Sequence, residues 1–151
     1  MMKNLFLLIL LPVLSFSQSS DTISAEIKWS TDFEAAKDQA EKEKKNIMAY
    51  FTGSDWCGPC IKLKKDFFET KEFATISKEY VLIYIDIPRK KSILSTEQLE
   101  HNMALLPKLN KKGVFPHFTI LNADEKILDQ FSGYNMDGKI DKHLAFLKKN
   151  K

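Results

Sequence analysis

Residues 81–87, with the sequence VLIYIDI, form an almost unbroken apolar run. A strand with one solvated face alternates apolar and polar side chains, whereas a strand covered on both faces is apolar nearly throughout. The run therefore predicts a strand buried between two layers of helices. Residues 47–52, IMAYFT, predict a second buried strand.

Helical and strand patterns alternate around these two strands. Two helices are predicted to begin at capping boxes, in which a Ser or Thr is followed three residues later by Glu or Gln: Thr31 with Glu34, and Ser95 with Gln98. The other predicted elements are a strand at 26–29, a helix at 60–68, a hairpin of 118–121 and 127–131, and a C-terminal helix with Ile140, Leu144 and Leu147 on one face. This order, β-α-β-α-β-α-β-β-α, implies an α/β fold with a central mixed sheet flanked by helices on both faces.

The first 17 residues have the layout of a secretory signal peptide. Lys3 precedes an apolar run at 5–14, and small residues around Ser17 follow it. The run is shorter than the roughly 20 residues that span a bilayer, although an uncleaved anchor is the alternative. Cleavage after Ser17 would leave one domain, residues 18–151, in the periplasm or the extracellular space. No cysteine lies near the cut, so no lipid anchor is predicted.

The formal net charge is +3, and Lys3 contributes one of these charges. So small an excess, without an arginine-rich or aromatic-interleaved stretch, does not predict nucleic-acid binding. No coiled-coil pattern is present, and a monomer is expected.

The only two cysteines, Cys57 and Cys60, lie in the stretch WCGPC. A bridge between them would close a very small loop and would stabilise the fold less than a long-loop bridge. A structural zinc site needs four ligands, and His101, His117 and His143 lack ligand spacing, so neither a metal nor a cofactor is predicted. A reactive dithiol in an oxidising compartment is the favoured interpretation.

The chain resembles thioredoxin-fold proteins over nearly all of residues 18–151. The most specific element is WCGPC, which follows a buried strand and opens a helix. Phe115-Pro116 matches the place where thioredoxins carry a cis-proline facing the dithiol, and Gly133 and Gly138 match a thioredoxin glycine pair. The resemblance implies a thioredoxin fold, here with an insertion at about 87–104 between the third strand and the following helix.

The position of the dithiol at a helix start suggests a division of roles. Unpaired N–H groups and the helix dipole favour a thiolate at Cys57, which is therefore expected to be the nucleophile. Cys60, one turn further on, is expected to be the shielded resolving thiol. Pro59 fits the first turn, and Gly58 leaves room for the two sulfurs and for a substrate chain. Trp56 is expected either to shape the rim of the site or simply to pack.

Further supporting roles are carried over with the resemblance. A cis bond before Pro116 would leave the backbone of Phe115 free to pair with an extended substrate segment. His117 is a possible modulator of the dithiol, and a half-exposed strand histidine is the alternative. Asp55 is a possible proton acceptor for Cys60.

The chain departs from thioredoxins at several positions. The positions of the buried aspartate and lysine of thioredoxins fall close to Tyr50 and Leu82, within one residue, so no internal base for Cys60 is evident. Lys65 stands where thioredoxins usually kink the helix with a proline. The insertion is either a solvated loop with a longer helix or a partner-selecting ridge beside the site.

The residues favour an exported thiol–disulfide oxidoreductase that reduces protein disulfides and receives electrons from a membrane donor or another thiol partner. A disulfide oxidase or isomerase is the alternative within that class, because the Gly-Pro dipeptide does not by itself set the potential. A redox-silent peptide-binding module is a second alternative. A peroxide-reducing enzyme is a third, opposed by the placement of the only arginine, Arg89, in the insertion.

Overall fold

The structure is a computed structural model and describes residues 27–151. The predicted signal peptide lies outside the described residues. The strands are β1 Trp29–Ser30, β2 Asn46–Thr52, β3 Tyr80–Asp86, β4 His117–Leu121 and β5 Ile127–Ser132. The helices are α1 Phe33–Glu43, α2 Gly58–Leu63, α3 Lys71–Ile76, α4 Thr96–Leu109 and α5 Asp141–Asn150, with a π-helical segment Lys64–Phe68 and a short 3₁₀ turn Ser77–Glu79.

The five strands form one mixed sheet in the order β1-β3-β2-β4-β5. β1 and β2 run parallel to β3, while β4 pairs antiparallel with both β2 and β5. The predicted mixed sheet is therefore confirmed. The central strand β2 is hydrogen-bonded on both sides and ends at Thr52, just before the cysteine motif.

Both faces of the sheet are buried, as the apolar runs predict. On one face Met48 and Tyr50 of β2 pack with Leu63 and the aromatic side chains Phe67, Phe68, Phe73, Phe118 and Phe146. On the other face Ile47, Ala49 and Phe51 pack with side chains of α1 and α4, namely Phe33, Ala36, Ala40, Leu105 and Leu109. Because successive β2 residues alternate between these two cores, the strand is apolar from Ile47 to Phe51.

The first predicted capping box is wrong, and the second is correct in part. The N-cap of α1 is Asp32 rather than Thr31, and its carboxylate accepts the N–H of Ala35 at 3.1 Å. A carboxylate also interacts favourably with the positive end of the helix dipole. Ser95 caps α4 by accepting the N–H of Gln98 at 3.1 Å, but the Gln98 amide donates to the carbonyl of Thr31 instead of reaching back.

Two helical features between the dithiol and β3 were not predicted. Helix α3 is capped by Thr70, whose hydroxyl accepts the N–H of Phe73 at 3.2 Å. Before it, the N–H of Glu69 bonds to the carbonyl of Lys64 at 3.2 Å, which is the spacing of a π-helix. This π-helical segment contains Lys65, where thioredoxins usually have their kinking proline.

Among residues 27–151, no helix has the length and apolar character needed to cross a bilayer. The same part of the chain contains no cluster of His, Cys, Asp and Glu suited to a metal ion.

Candidate active site

Cys57 and Cys60 form a disulfide with an S–S distance of 1.99 Å. They lie just past the end of β2, and both are buried, with 4% and 2% of their surfaces exposed. Exposure alone therefore does not distinguish the attacking sulfur from the resolving one. The pair is placed where the inner strand of the sheet passes into a helix.

The two cysteines differ in their position at the helix start. Cys57 is the N-cap of α2, and its Sγ accepts the backbone N–H of Cys60 at 3.3 Å. Its carbonyl accepts the N–H of Ile61 at 3.0 Å, the first helical hydrogen bond. Pro59 occupies the first turn, where a missing N–H costs nothing, and Gly58 is exposed beside the pair. A thiolate on Cys57 would therefore receive an N–H bond and the positive end of the dipole.

The turn before the dithiol is tied to the neighbouring strand. Ser54 donates its backbone N–H and its hydroxyl to the carboxylate of Asp86, at 2.9 and 2.5 Å. The N–H of Cys57 donates to the carbonyl of Gly53 at 2.8 Å and closes the turn. Neither Ser54 nor Asp86 was singled out from the sequence. The signal available was that Asp86 is the one charged residue in the apolar run 81–87.

Trp56 is held on several sides. Its indole N–H donates to the carbonyl of Ile87 at 2.8 Å. Its ring meets the ring of Phe115 edge to face at a centroid distance of 5.3 Å, and the Arg89 guanidinium carbon lies 4.6 Å from the ring centroid. A methyl group on Gly53 would lie only 2.3 Å from the indole. The ring is thus fixed between the turn, the loop 87–95 that follows β3, where the insertion is predicted, and the segment before Pro116.

Asp55 connects the cysteine motif to the insertion. Its carboxylate accepts the backbone N–H groups of Arg89 and Lys90 at 3.0 and 2.9 Å. Reduced solvation raises the pKa of Asp55, but the backbone N–H bonds and the charge of Arg89 together outweigh that effect, so the net pKa lies below its usual range. The contacts of this carboxylate are thus with the insertion, and its role as a base for Cys60 stays a prediction.

The loop after β3 returns in space to the tryptophan that precedes the dithiol. Although Arg89 is 32 residues from Cys57 in the sequence, its guanidinium covers the tryptophan that precedes this cysteine. From the sequence, the placement of Arg89 in the insertion argues against a cation beside the site. The structure shows that this separation along the chain does not keep the guanidinium away from Trp56.

The Phe115–Pro116 peptide bond is cis, and Pro116 is buried. The carbonyl of Pro116 accepts the N–H of Gly133 at 2.9 Å. The contact between Phe115 and Trp56 brings this segment to the rim of the cysteine motif.

His117 lies on the sheet face of α1 and α4. Its Nδ1 is 2.6 Å from the hydroxyl of Ser132, and its Nε2 is 3.0 Å from the hydroxyl of Thr119 and 3.2 Å from the carbonyl of Leu109. Burial lowers the pKa of this histidine, with a smaller lowering by Lys112. The side chain is buried rather than half-exposed.

The positions of the missing thioredoxin charges are buried and neutral. Tyr50 is 1% exposed and Leu82 is 4% exposed, and both contribute to the same core. They are not opposite each other, because Tyr50 pairs in register with Tyr84 and Leu82 pairs with Met48. Burial raises the pKa of the Tyr50 phenol, so this group is not a base at neutral pH.

Comparison with known proteins gives consistent results. The model of a thioredoxin-like family matches residues 28–123. The disulfide bond reductase DsbH of Chlamydia pneumoniae is 28% identical over 115 residues, which cover 76% of this chain and 68% of DsbH. The thioredoxin-related protein DsbJ of the same organism is 26% identical over 126 residues, or 83% of this chain but only 35% of DsbJ.

A solved structure of a DsbH oxidoreductase superposes with a TM-score of 0.68 and 26% identity, over 80% of this chain and 84% of that one. A cysteine pair that closes a disulfide at the start of a helix in such a fold is a site for thiol–disulfide exchange. The match of the family model to residues 28–123 and this geometry agree: the chain belongs to the thioredoxin-like family.

Proposed function

We propose that this protein is an exported thiol–disulfide oxidoreductase that reduces disulfides in other exported proteins. The observation that carries the proposal is the Cys57–Cys60 disulfide with the Sγ of Cys57 at the N-cap of α2, accepting the N–H of Cys60. That arrangement favours the thiolate of one cysteine and keeps the second within bonding distance of it.

The reaction begins from the reduced dithiol. The Cys57 thiolate attacks one sulfur of a substrate disulfide, forms a mixed disulfide, and releases the other substrate sulfur as a thiolate that takes up a proton. Cys60 then loses its proton and attacks the Sγ of Cys57, which releases the second substrate thiolate and forms the Cys57–Cys60 disulfide. Two electrons have passed to the substrate, and a dithiol partner, such as a membrane electron donor, must return them.

The rim residues have positioning roles in this proposal. An extended substrate segment would pair with the free backbone of Phe115 beside Pro116, as a short added strand. Trp56 would form a second wall of the substrate-binding surface, next to Phe115, whose ring it contacts edge to face. Gly58, which is exposed and has open space around it, leaves room for the substrate chain at the sulfurs.

The reducing direction has two supports. The Gly-Pro dipeptide between the cysteines resembles that of reducing thioredoxins, and one relative is named a disulfide bond reductase. An oxidase or isomerase would use the same exchange steps, and the reduction potential distinguishes the two. Export rests on the predicted signal peptide, residues 1–17, which would leave residues 18–151 as one thioredoxin-like domain in the periplasm or outside the cell. N-terminal sequencing of the accumulated protein tests that prediction.

The direction is tested by equilibrating the purified protein against dithiothreitol and glutathione buffers and quantifying free thiols after acid quenching. The expected potential is low, near the value of about −270 mV typical of thioredoxin. A potential near about −120 mV, typical of a strong oxidant, would overturn the reductase assignment. A pair that never cycles would favour the redox-silent peptide-binding module.

A further inference from the structure

Two surface segments meet at Trp56. Residues 87–91 reach it through the carbonyl of Ile87 and the guanidinium of Arg89, and residues 111–115 reach it through the ring of Phe115. Together these segments carry the exposed cations Arg89, Lys90, Lys91, Lys111 and Lys112, which we call the basic rim.

The positive charge of the basic rim is poorly compensated. Neither segment contains an Asp or Glu. Among residues 27–151, the ion pairs involve Lys37, Lys45, Lys62 and Lys149, and no cation of the basic rim. Asp55 is a carboxylate in contact with these segments: it accepts two of their backbone N–H groups and interacts with the charge of Arg89, so it offsets one of the five positive charges. The basic rim therefore presents a local excess of positive charge, although the net charge of the chain is only +3.

Part of this charge is fixed in place. The guanidinium of Arg89 lies against the Trp56 ring, and the backbone at Arg89 and Lys90 is held by Asp55. Holding a cation against an aromatic ring reduces the conformational entropy that it would lose when it binds an anion. Arg89 and the backbone that carries Lys90 thus lie on an ordered wall of the site rather than on a solvated tail.

We propose that the basic rim binds acidic polypeptide segments, so that the preferred exchange partners carry Asp or Glu next to the reacting cysteines. This inference rests on the proposed function and adds the class of partner. Arginine binds carboxylates with paired N–H groups, and lysines add a long-range attraction that speeds encounter. Such electrostatic complementarity selects partners and raises association rates more than it raises affinity.

The surface is tested first without redox chemistry. Fluorescein-labelled peptides of equal length that lack cysteine, one rich in aspartate, one in serine and one in lysine, are titrated with the purified protein and followed by anisotropy. The acidic peptide is expected to bind about tenfold more tightly than the serine peptide at low salt, with most of that difference lost at about 0.5 M salt. Equal binding of the three peptides would overturn the proposal.

A matched pair of variants locates the effect. Lys90→Gln with Lys91→Gln removes two charges from the basic rim and leaves the backbone bonds to Asp55 intact. Lys78→Gln with Lys126→Gln removes two exposed charges at the other end of the sheet, where β2 and β3 begin. Only the first variant is expected to lose the acidic preference, by several-fold. Equal losses in both variants would show a general charge effect and overturn the proposal.

The same peptides with an internal disulfide separate this inference from the proposed function. Reduced protein is mixed with each peptide, and the rate of thiol release is measured. If all three peptides exchange at the same rate, the proposed role of the basic rim is contradicted, while the oxidoreductase function stands. An acidic binding preference without any exchange supports the basic rim and contradicts the proposed function. Binding to vesicles of anionic lipid, without a peptide preference, would also overturn the proposal.

Discussion

Ser54 donates both its backbone N–H and its hydroxyl to the carboxylate of Asp86. Asp86 is 5% exposed and lies opposite Thr52, where β2 and β3 end together. The turn that leads into the cysteine motif is therefore fastened to the sheet by a charged group rather than by packing alone. This contact also fixes the direction in which the chain approaches Cys57.

Asp86→Ala is expected to reduce the free energy of unfolding by about 2–3 kcal/mol, because hydrogen bonds to charged groups contribute more than neutral ones and the donors of Ser54 lose their acceptor. Ser54→Ala removes only the hydroxyl bond and should cost about 1 kcal/mol. Urea unfolding of the oxidised protein measures both values. A smaller effect for Asp86→Ala than for Ser54→Ala would contradict this account of the turn.

Gly53→Ala is expected to displace Trp56. The new methyl group would lie 2.3 Å from the indole, and the bond to Ile87 prevents the ring from moving freely. The expected cost is about 1–3 kcal/mol of stability, together with a shift in tryptophan fluorescence. Gly58→Ala is the control, because open space surrounds that position and its backbone conformation suits an L residue. Its stability should change by less than about 1 kcal/mol, and a similar loss in both variants would refute the clash.

Cys60→Ser is expected to accumulate a mixed disulfide with a substrate or with glutathione, because the Cys57 thiolate can attack but nothing resolves the product. Cys57→Ser should accumulate much less, since Cys60 lies inside the first turn of α2 and its thiolate lacks the N-cap position that Cys57 occupies. Intact-protein mass spectrometry after acid quenching counts the adducts. The reverse pattern would show that Cys60 is the nucleophile and Cys57 the resolving thiol.

Acidification is expected to destabilise the protein through His143. This side chain is 4% exposed, and its ring is in contact with the rings of Phe67, Phe118, Phe131 and Tyr134. Burial lowers its pKa in the folded state, so the unfolded chain binds more protons. The free energy of unfolding should therefore be highest above the unfolded pKa of about 6.5 and fall as pH decreases through that value towards the folded pKa.

The pH effect is measured by urea unfolding between about pH 8 and pH 5. His143→Leu should reduce the slope of the free energy of unfolding against pH. This expectation is independent of the effect of the substitution on stability at high pH, where the histidine is neutral. Part of the slope should persist in the variant, because burial also lowers the pKa of His117. An unchanged slope in His143→Leu would rule out this contribution.

Strands β2 and β3 could be predicted because each is apolar on both faces, and the predicted ranges 47–52 and 81–87 differ from the observed ones by a single residue at the ends. Helix α3 was missed because it is short and its buried face contains only Phe73 and Ile76. The N-cap of α1 was displaced by one residue because Thr31 and Glu34 fit the capping-box pattern, although Asp is on average a stronger N-cap than Thr.

At the site, the cysteine pair and the cis bond before Pro116 could be predicted from the motif and its order along the chain. The packing of Gly53 against Trp56 could not be predicted from the sequence. It depends on where the insertion places the carbonyl of Ile87 and the guanidinium of Arg89. The imidazole of His117 is likewise oriented by partners distant in sequence, Leu109 and Ser132. Side-chain positions set by long-range contacts leave no short sequence pattern.

The insertion is attached to the cysteine motif mainly by its main chain. Trp56 bonds to a carbonyl, and Asp55 bonds to two amide N–H groups, so three of the contacts that fix the path of residues 87–90 do not depend on side-chain identity there. Mutation can therefore alter the side chains of this segment without loosening it from the dithiol. Substitutions that change partner choice can therefore leave the redox chemistry as it is. After duplication of such a gene, the copies can diverge in specificity while they retain the same reaction.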